Sequence, residues 1–336
     1  MATPKVCGIE TEYGILLSGA EVDPITASSL IVSAYKDSSW AFASFDASHE
    51  SPSRDARGVN LDDYLDPVID SKMINTVLSN GARYYVDHAH PEYSSPECAT
   101  IRDAVLFDVA GEFILRKSMN KANERLPQGV RIDLYKNNSD GKGNSYGCHE
   151  NYLVSRQTPF TQIAQQITTH FVTRQIFCGA GKVGAEHRGL SGKGSIQPAF
   201  QISQRADFFE EEIGLETTLK RPIVNTRDEP HCDPTKYRRL HVIAGDANMS
   251  EVATLLKLGT TSIVLAMIED DAFPKHLIVK DPVHAIRQVS HDTSLSACIM
   301  MTDGRMLTAL QVQMEILEAA IRYANRYGLE SVDAQV

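Results

Sequence analysis

The chain has 336 residues, 42% of them hydrophobic and 23% charged, the make-up of a globular protein large enough for one big domain or two ordinary ones. Its 33 basic and 43 acidic residues give a net charge of −10, which argues against a nucleic-acid footprint, because that requires clustered Lys and Arg. The start, MATPK, has no apolar stretch of the signal-peptide kind, and no run approaches the roughly 18 apolar residues of a membrane span. A cytoplasmic protein without membrane contact is the expectation. Cys7, Cys98, Cys148, Cys178, Cys232 and Cys298 form no C-x-x-C pair, so reduced, packed thiols are expected in place of a disulfide or zinc framework.

In chain order, residues 5–17 alternate as a strand does, and residues 26–36 read as a short helix. Residues 37–66 are rich in Ser, Asp and Arg with little periodicity, and a loop of that length is usually mobile or functional. The pattern predicts a helix over 67–80, stopped at Asn80-Gly81, and then a strand from Arg83 to His88. A long amphipathic helix is predicted over 100–121, with Val105, Leu106, Val109, Phe113 and Ile114 as its apolar stripe. Strands at 129–135 and 145–154 flank the turn signal Asn137-Asn138-Ser139-Asp140-Gly141. Thr158-Pro159 reads as an N-cap and N1 proline for a helix to about 177. Strands near 196–204 and 239–245, a helix over 249–267 broken at Gly259, and a closing helix over 305–327 complete the pattern. No repeat or linker interrupts it. Neighbouring strands suggest antiparallel pairing, hence one α+β domain over 1–336: a curved antiparallel sheet with helices on one face and the chemistry on the other, and 37–62 as a flexible loop at the site.

Strand alternation places Arg83, Tyr85 and Asp87 on one face and Tyr84, Val86 and His88 on the other. Glu10 and Glu12 likewise share a face, flanked by Gly8 and Gly14. Two such carboxylates suit a hard cation such as magnesium, and a solvent-facing edge strand is the alternative. The same residue types recur as Gly147, His149 and Asn151, as Gln201, Ser203 and Arg205, and as Arg239 and His241. A sheet built only for its core does not need acidic, imidazole or guanidinium groups on one face of five strands. Carboxylates that hold magnesium, with arginines that clamp phosphate charge, indicate nucleotide-dependent chemistry on a carboxylate or phosphate. The stretch Cys178-Gly179-Ala180-Gly181-Lys182 lacks the spacing of a phosphate loop, and no G-x-G-x-x-G, H-E-x-x-H or nucleophile elbow is present.

Five segments together resemble the Pup ligase and Pup deamidase/depupylase family, Pup being the prokaryotic ubiquitin-like protein: GIETEYG at 8–14, RYYVDHAHPEYSSPE at 83–97, NSYGCHENYLV at 144–154, RPIVNTRDEPH at 221–231 and RRLHVIAGDANMSE at 238–251. The resemblance implies a fold similar to glutamine synthetase and the carboxylate–amine ligases, with ATP (or ADP plus phosphate) and Mg2+ as cofactors. It implies Pup and pupylated proteins of the actinobacterial proteasome pathway as partners. Residue by residue, it implies Glu10, Glu12 and Glu92 as magnesium ligands with Tyr85 beside the metal. Asp87 would be the catalytic carboxylate, as nucleophile or as base toward water. Arg83, Ser95, Arg239 and His241 would face the nucleotide, and Arg205, Arg227 and His149 the substrate. The spacing Asp87-His88-Ala89-His90-Pro91-Glu92 is similar to the depupylase form, whereas the ligase form D-x-G-x-H-P-E has one residue more. The resemblance therefore implies hydrolysis of the side-chain amide of Pup's terminal Gln and of the isopeptide bond to substrate Lys. A ligase working through an acyl phosphate, or a non-catalytic binding homologue, are the alternatives. Family members carry a smaller carboxy-terminal domain with a tryptophan near the nucleotide. The only tryptophan here is Trp40, so that domain is expected to be truncated or absent.

Overall fold

The computed structural model describes residues 1–36, 41–44, 75–186, 198–217 and 219–332. The elements in chain order are β1 (Cys7–Glu12), β2 (Gly14–Ser18), α1 (Pro24–Lys36), β3 (Ala41–Ser44), β4 (Asn75–Leu78), β5 (Arg83–Asp87), β6 (His90–Ser94), α2 (Ile101–Asn123), β7 (Arg131–Tyr135) and β8 (Cys148–Ser155). There follow α3 (Phe160–Thr173), α4 (Gln175–Cys178), β9 (Lys182–Val183), β10 (Phe200–Gln201), β11 (Phe209–Gly214), β12 (Arg221–Asn225), β13 (Tyr237–Gly245), α5 (Glu251–Glu269), α6 (Pro282–His291), β14 (Cys298–Met300), β15 (Met306–Thr308) and α7 (Ala309–Tyr327).

Seven strands form one sheet in the order β13-β8-β1-β6-β5-β4-β3, every neighbouring pair antiparallel. This is the α+β sheet with helices on one face that the pattern predicted. The helix-covered face carries Cys7 and Ile9 of β1, Tyr84 and Val86 of β5, Tyr93 of β6, Tyr152 and Val154 of β8, and Leu240 and Val242 of β13, all buried. Under β1, β8 and β13 they pack in one core with residues of α3, α5, α6 and α7. Under β4, β5 and β6 they pack in a second core with Ala27, Ile31 and Val32 of α1 and Leu115 and Ala122 of α2.

Several boundaries differ from expectation for identifiable reasons. The predicted helix over 67–80 is, in its described part, β4: Asn75-Thr76-Val77-Leu78 pairs with β5, and partner strands override a weak local helix signal. Asn80-Gly81 is then a hairpin turn, with Gly81 at φ +84. Residues 67–74, Trp40 and most of the 37–62 loop lie outside the described residues, while Ala41–Ser44 adds an edge strand to β4. The 5–17 strand divides at Tyr13, because β2 leaves the sheet to pair with β7. In α2 the buried side is Ile101, Ala104, Asp108, Gly111, Leu115, Ser118 and Ala122, and the predicted stripe residues Leu106 and Phe113 are exposed. Small residues face inward there because the sheet lies close: a Cβ on Gly111 would sit 2.5 Å from the buried Tyr93 ring.

Pro159 occupies the cap position of α3 without a side-chain cap, so Thr158 is not the N-cap. Gly259 does not break α5; one buried glycine weakens a helix without ending it. In the described part of the expected 196–204 strand only Phe200–Gln201 forms a strand, β10, paired with β9. Thr308 caps α7 in a reciprocal box with Gln311, so residues 306–308 form a hairpin with β14 ahead of the helix. Sequence periodicity missed α6, β14 and the parallel β11–β12 pair. α5 is long and apolar enough to cross a membrane by length and composition, against expectation. Most of it is buried in this fold, and it carries the buried Lys257.

The core side of the sheet also carries a buried ion pair. Glu150 of β8 is fully buried and meets Arg174, at the end of α3, through two bonds of 2.6 and 2.8 Å. Tyr152 Oη donates to the same carboxylate at 2.7 Å, and Arg174 also reaches Thr261 Oγ1 at 2.7 Å. Breaking such a pair from one side strands a charge in the core. Arg174→Met is therefore expected to cost about 3–5 kcal/mol in urea unfolding, and the double change Glu150→Leu/Arg174→Met far less than the sum of the singles. Additive losses in that cycle would contradict the pairing.

Candidate active site

The open face of the sheet is assembled by register. Glu10 stands opposite His149 on one side and Ser94 on the other, and Glu12 stands opposite Glu92. Glu92 in turn faces Tyr85, Ser94 faces Arg83, His90 faces Asp87, and His241 faces Asn151. Directly opposed residues of an antiparallel pair point the same way. Glu10, Glu12, Asp87, Glu92, Arg83, Tyr85, His149, Asn151, Arg239 and His241 therefore share one face, although they are spread over more than 230 positions of sequence (from 10 to 241).

They gather into two clusters. Glu10, His149 and His241 bring one ligand atom each to within 4.8 Å of one another, and so do Glu12, Asp87 and Glu92. The single set of Glu10, Glu12, Glu92 and Tyr85 expected from sequence is thus divided, with Glu10 in one cluster and Glu12 and Glu92 in the other. His149, expected on the substrate, and His241, expected on the nucleotide, both lie beside Glu10. Tyr85 donates to Glu92 Oε1 at 2.5 Å, so it orients a carboxylate. Room for the His149 ring is made by Gly147, where a Cβ would fall 2.2 Å from Nε2.

The electrostatics separate the carboxylates. Burial would raise Glu10, but the bond to His149 and the charge of Arg239 outweigh it and hold the carboxyl well below its usual range. Glu12 is lowered in the same way, against burial, by His90 and His149. Glu92 goes the other way: burial, then Asp87, Glu12 and Glu10, push it well above the carboxylate range. Burial and then Glu92 keep the Tyr85 phenol protonated. Burial and then Arg239 lower His241 well below the usual imidazole value, so it is neutral, and its buried Nε2 has no hydrogen-bond partner among the described residues. A neutral imidazole with an orphaned nitrogen, next to a carboxylate and a second imidazole, is a donor set that fits a divalent cation, and three crowded carboxylates with one forced to keep its proton fit another.

Two cavities open on this face. The smaller, about 340 Å³, is lined by Val6, Gly8, Arg83, Ser95, Leu153, Glu229, Pro230, His231 and Arg239 among others. The larger, about 640 Å³, is lined by Glu12, Asp87, His88, Glu92, His149, Arg205, Arg221 and His241 among others. Glu10, Tyr85 and Arg227 line both, so they form the wall between them. Arg83 and Ser95 lie in the smaller cavity; Arg83 donates to Asn75 Oδ1 at 3.0 Å and stacks 4.0 Å over the Tyr85 ring, and Ser95 Oγ accepts from Ile9 N. Arg227 Nε is buried without a hydrogen-bond partner among the described residues. Arg205 is different: it is 1% exposed and its guanidinium donates to the Ile243 carbonyl at 2.7 Å. Gln201 and Ser203 are buried too, bonded to Asp207 and Asp246, so this segment is not a strand of the open face and the fifth strand of the predicted pattern drops out. Sequence reasoning gave no role to Asn151, His90 or Glu229. Asn151 bonds Glu10, Arg239 and His241; His90 pairs with Glu12 at 3.4 Å, and Glu229 with Arg239 at 3.4 Å. Strand alternation was the available signal for Asn151 and His90, whereas Glu229 lies between β12 and β13, outside either strand.

The chain matches the family described as Pup-ligase protein over residues 5–336 and belongs to it. It is 54% identical over 339 aligned positions to a depupylase of Acidothermus cellulolyticus and 48% identical over 329 to a Pup deamidase/depupylase of Mycolicibacterium smegmatis. These alignments take in 98% and 94% of this chain but 66% and 64% of the relatives, so the chain spans just under two thirds of their length. Among solved structures it is similar to the complex between Pup and its ligase PafA, with a TM-score of 0.75 and 33% identity over 96% of this chain and 58% of that one. It is also similar to PafA in complex with ADP, with a TM-score of 0.68 and 41% identity over 75% of this chain and 54% of that one.

Chelator-treated chain tests the carboxylate crowding. Because Glu92 is raised in the folded state, its contribution to stability is complete below the unfolded value and drains away as pH rises through the folded one. Between about pH 5 and about pH 8 the Tm of Glu92→Gln should therefore fall less than that of the unaltered chain. Magnesium should then raise the Tm of the unaltered chain more than that of the variant. Parallel curves would show that Glu92 ionises without strain.

Proposed function

We propose that this chain is the catalytic part of a Pup deamidase/depupylase, hydrolysing the side-chain amide of a carboxy-terminal Gln on Pup and the isopeptide bond that joins Pup to substrate Lys. The observation that carries the reading is Asp87: it lies in the larger cavity beside Glu12 and Glu92, one wall away from a second cavity of a size and polarity suited to a nucleotide. The identity to a depupylase and to a Pup deamidase/depupylase supports it, as does the Asp87-to-Glu92 spacing.

In this reading the Asp87 carboxylate attacks the δ-carbonyl or takes the proton of an attacking water, in either case working from a rigid strand with Oδ2 held 2.9 Å from His88 Nδ1. Arg227, whose buried Nε has no hydrogen-bond partner among the described residues and which lines both cavities, meets the negative charge that develops on the carbonyl oxygen. Tyr85 holds Glu92, and Arg83, Ser95 and Arg239 face the nucleotide side. Glu10, His149 and His241, with Glu12 and Glu92, are the residues that would hold Mg2+. Magnesium with ATP, or with ADP and phosphate, would supply positive charge at the wall between the cavities and polarise the scissile carbonyl. Arg205 lines the larger cavity with its guanidinium tied to the Ile243 carbonyl.

The test is mass measurement of glutamine-ended Pup after incubation with the chain, magnesium and ATP. The expected result is conversion to the glutamate form, lost by roughly 10³-fold or more in Asp87→Asn. The Tm of that variant should stay at or above the unaltered value, since the His88 pair is exposed and such pairs contribute about 0–1 kcal/mol, while loss of the Asp87 charge relieves the crowding on Glu92. Full activity in Asp87→Asn would refute the assignment. Conjugation of glutamate-ended Pup to lysine with one ADP released per bond would establish the ligase instead.

A further inference from the structure

We infer that Asn151 is a positioning residue that fixes the tautomer of His241, so that the Nε2 lone pair is presented to a divalent cation shared with Glu10 and His149. The inference rests on the cation site described above and is independent of which amide bond is cleaved.

The argument begins with what each neighbour of the Asn151 amide can do. Arg239 can only donate, and the ionised Glu10 carboxylate can only accept. Glu10 Oε1 lies 2.8 Å from Asn151 Nδ2, and Arg239 Nη1 lies 2.9 Å from Oδ1. Those two contacts leave the amide a single orientation, because a flipped amide would set oxygen against carboxylate and nitrogen against guanidinium. His241 Nδ1 lies 3.0 Å from the same Oδ1. An amide oxygen has no hydrogen to give, so Nδ1 must carry one. In a neutral imidazole the other nitrogen then bears the lone pair. That nitrogen, Nε2, is the buried atom with no partner among the described residues, in the cluster where Glu10 and His149 bring their ligand atoms to within 4.8 Å.

A second distance gives the consequence of losing Asn151. Arg239 Nη1 also lies 3.5 Å from His241 Nδ1. While Asn151 accepts from both, these two donors are kept facing a shared oxygen. Without it the guanidinium becomes the nearest partner of Nδ1 and can only donate to it. The ring proton then belongs on Nε2, where it points into the cation cluster and blocks ligation. The Arg239–Asn151 pair thus acts as a tautomer lock, and Asn151 touches no reacting atom.

The experiment uses the full chain labelled with 15N-histidine, free of metal, with His241→Ala to assign the resonance. Long-range 15N–1H correlation should show His241 as a single form, protonated at Nδ1 and pyridine-like at Nε2. Asn151→Leu should move the proton to Nε2 and weaken binding of Mn2+ alone by roughly 10–100-fold, the usual scale for removing a partner that orients a ligand. The imidazole-nitrogen coupling to Mn2+ in pulsed EPR should shrink in parallel, which separates this cluster from the all-carboxylate one. Asn151→Asp loses the bond to Glu10 and sets an oxygen against it, but it keeps an acceptor for Nδ1–H and should keep the proton on Nδ1, whereas a merely structural role would disturb the His241 proton in both variants alike.

A His241 ring protonated at Nε2 in the unaltered chain overturns the inference. So does an Asn151→Leu chain whose tautomer is unchanged and whose Mn2+ affinity stays within about twofold. Should Asn151→Leu not fold, the unaltered spectrum and Asn151→Asp decide. No Pup or nucleotide enters the measurement, so a chain inactive on Pup with this tautomer pattern would fail the functional reading alone.

Discussion

Four carboxylates, Glu10, Glu12, Asp87 and Glu92, are held on one face of the adjoining strands β1, β6 and β5, and everything around them is arranged to make that crowding tolerable. Like charges at such separations in a partly dry site repel strongly, and a group relieves the repulsion by keeping a proton or by finding a countercharge. Both solutions are present. Glu10 keeps its charge because Arg239 lies beside it and His149 bonds to it, whereas Glu92 is pushed toward its neutral form by burial and by the other three. The Tyr85 phenol and the Asn151 amide are then the uncharged donors that hold Glu92 and Glu10 in place. A site of this kind stores electrostatic work in the empty protein and releases it when cations arrive.

Such a face can be kept only on a rigid support, because a loop would relax and let the charges drift apart. The support is the opposite side of the same strands. Tyr84, Val86 and Tyr93 alternate with Arg83, Tyr85 and Asp87 or with Glu92 and Ser94, so each apolar side chain driven into the core fixes the aim of a polar neighbour. The bidentate contact between Glu150 and Arg174 does the same for β8, tying the strand that carries His149 and Asn151 to the end of α3. The buried Lys257 adds a further tie, donating to the Asp246 carbonyl just beyond β13. The core and the site are two consequences of one period-two alternation.

The division of the open face into two cavities gives the site its directionality. Glu10, Tyr85 and Arg227 stand between them, so whatever lies in one cavity is sensed electrostatically in the other. The chemistry proposed for this chain needs such a wall, with phosphate oxygens on one side and a scissile carbonyl on the other.

Much of the site could be read from residue order, because alternation is a local property. The pairs Glu10/Glu12, Arg83/Tyr85/Asp87, His149/Asn151 and Arg239/His241 needed only a strand assignment to be placed on common faces. The expected face at Gln201, Ser203 and Arg205 failed because the segment forms only a two-residue ribbon, and its polar groups turn inward to Asp207, Asp246 and the Ile243 carbonyl. The helix expected over 67–80 failed at β4 because strand pairing is decided by a partner and not by the segment itself. The amphipathic stripe of α2 was misread because small and polar residues, not large apolar ones, fit against the close-packed Tyr93.

The sequence by itself determined which side chains share a strand face and which face is apolar, since both follow from covalent geometry and the two-residue repeat. Only the tertiary structure decided that Glu10 would stand between His149 and Ser94, that Glu12 would stand opposite Glu92, and so that the ligands would split into two clusters. Register between strands far apart in the chain is fixed by packing and long-range hydrogen bonds, and no local pattern encodes it.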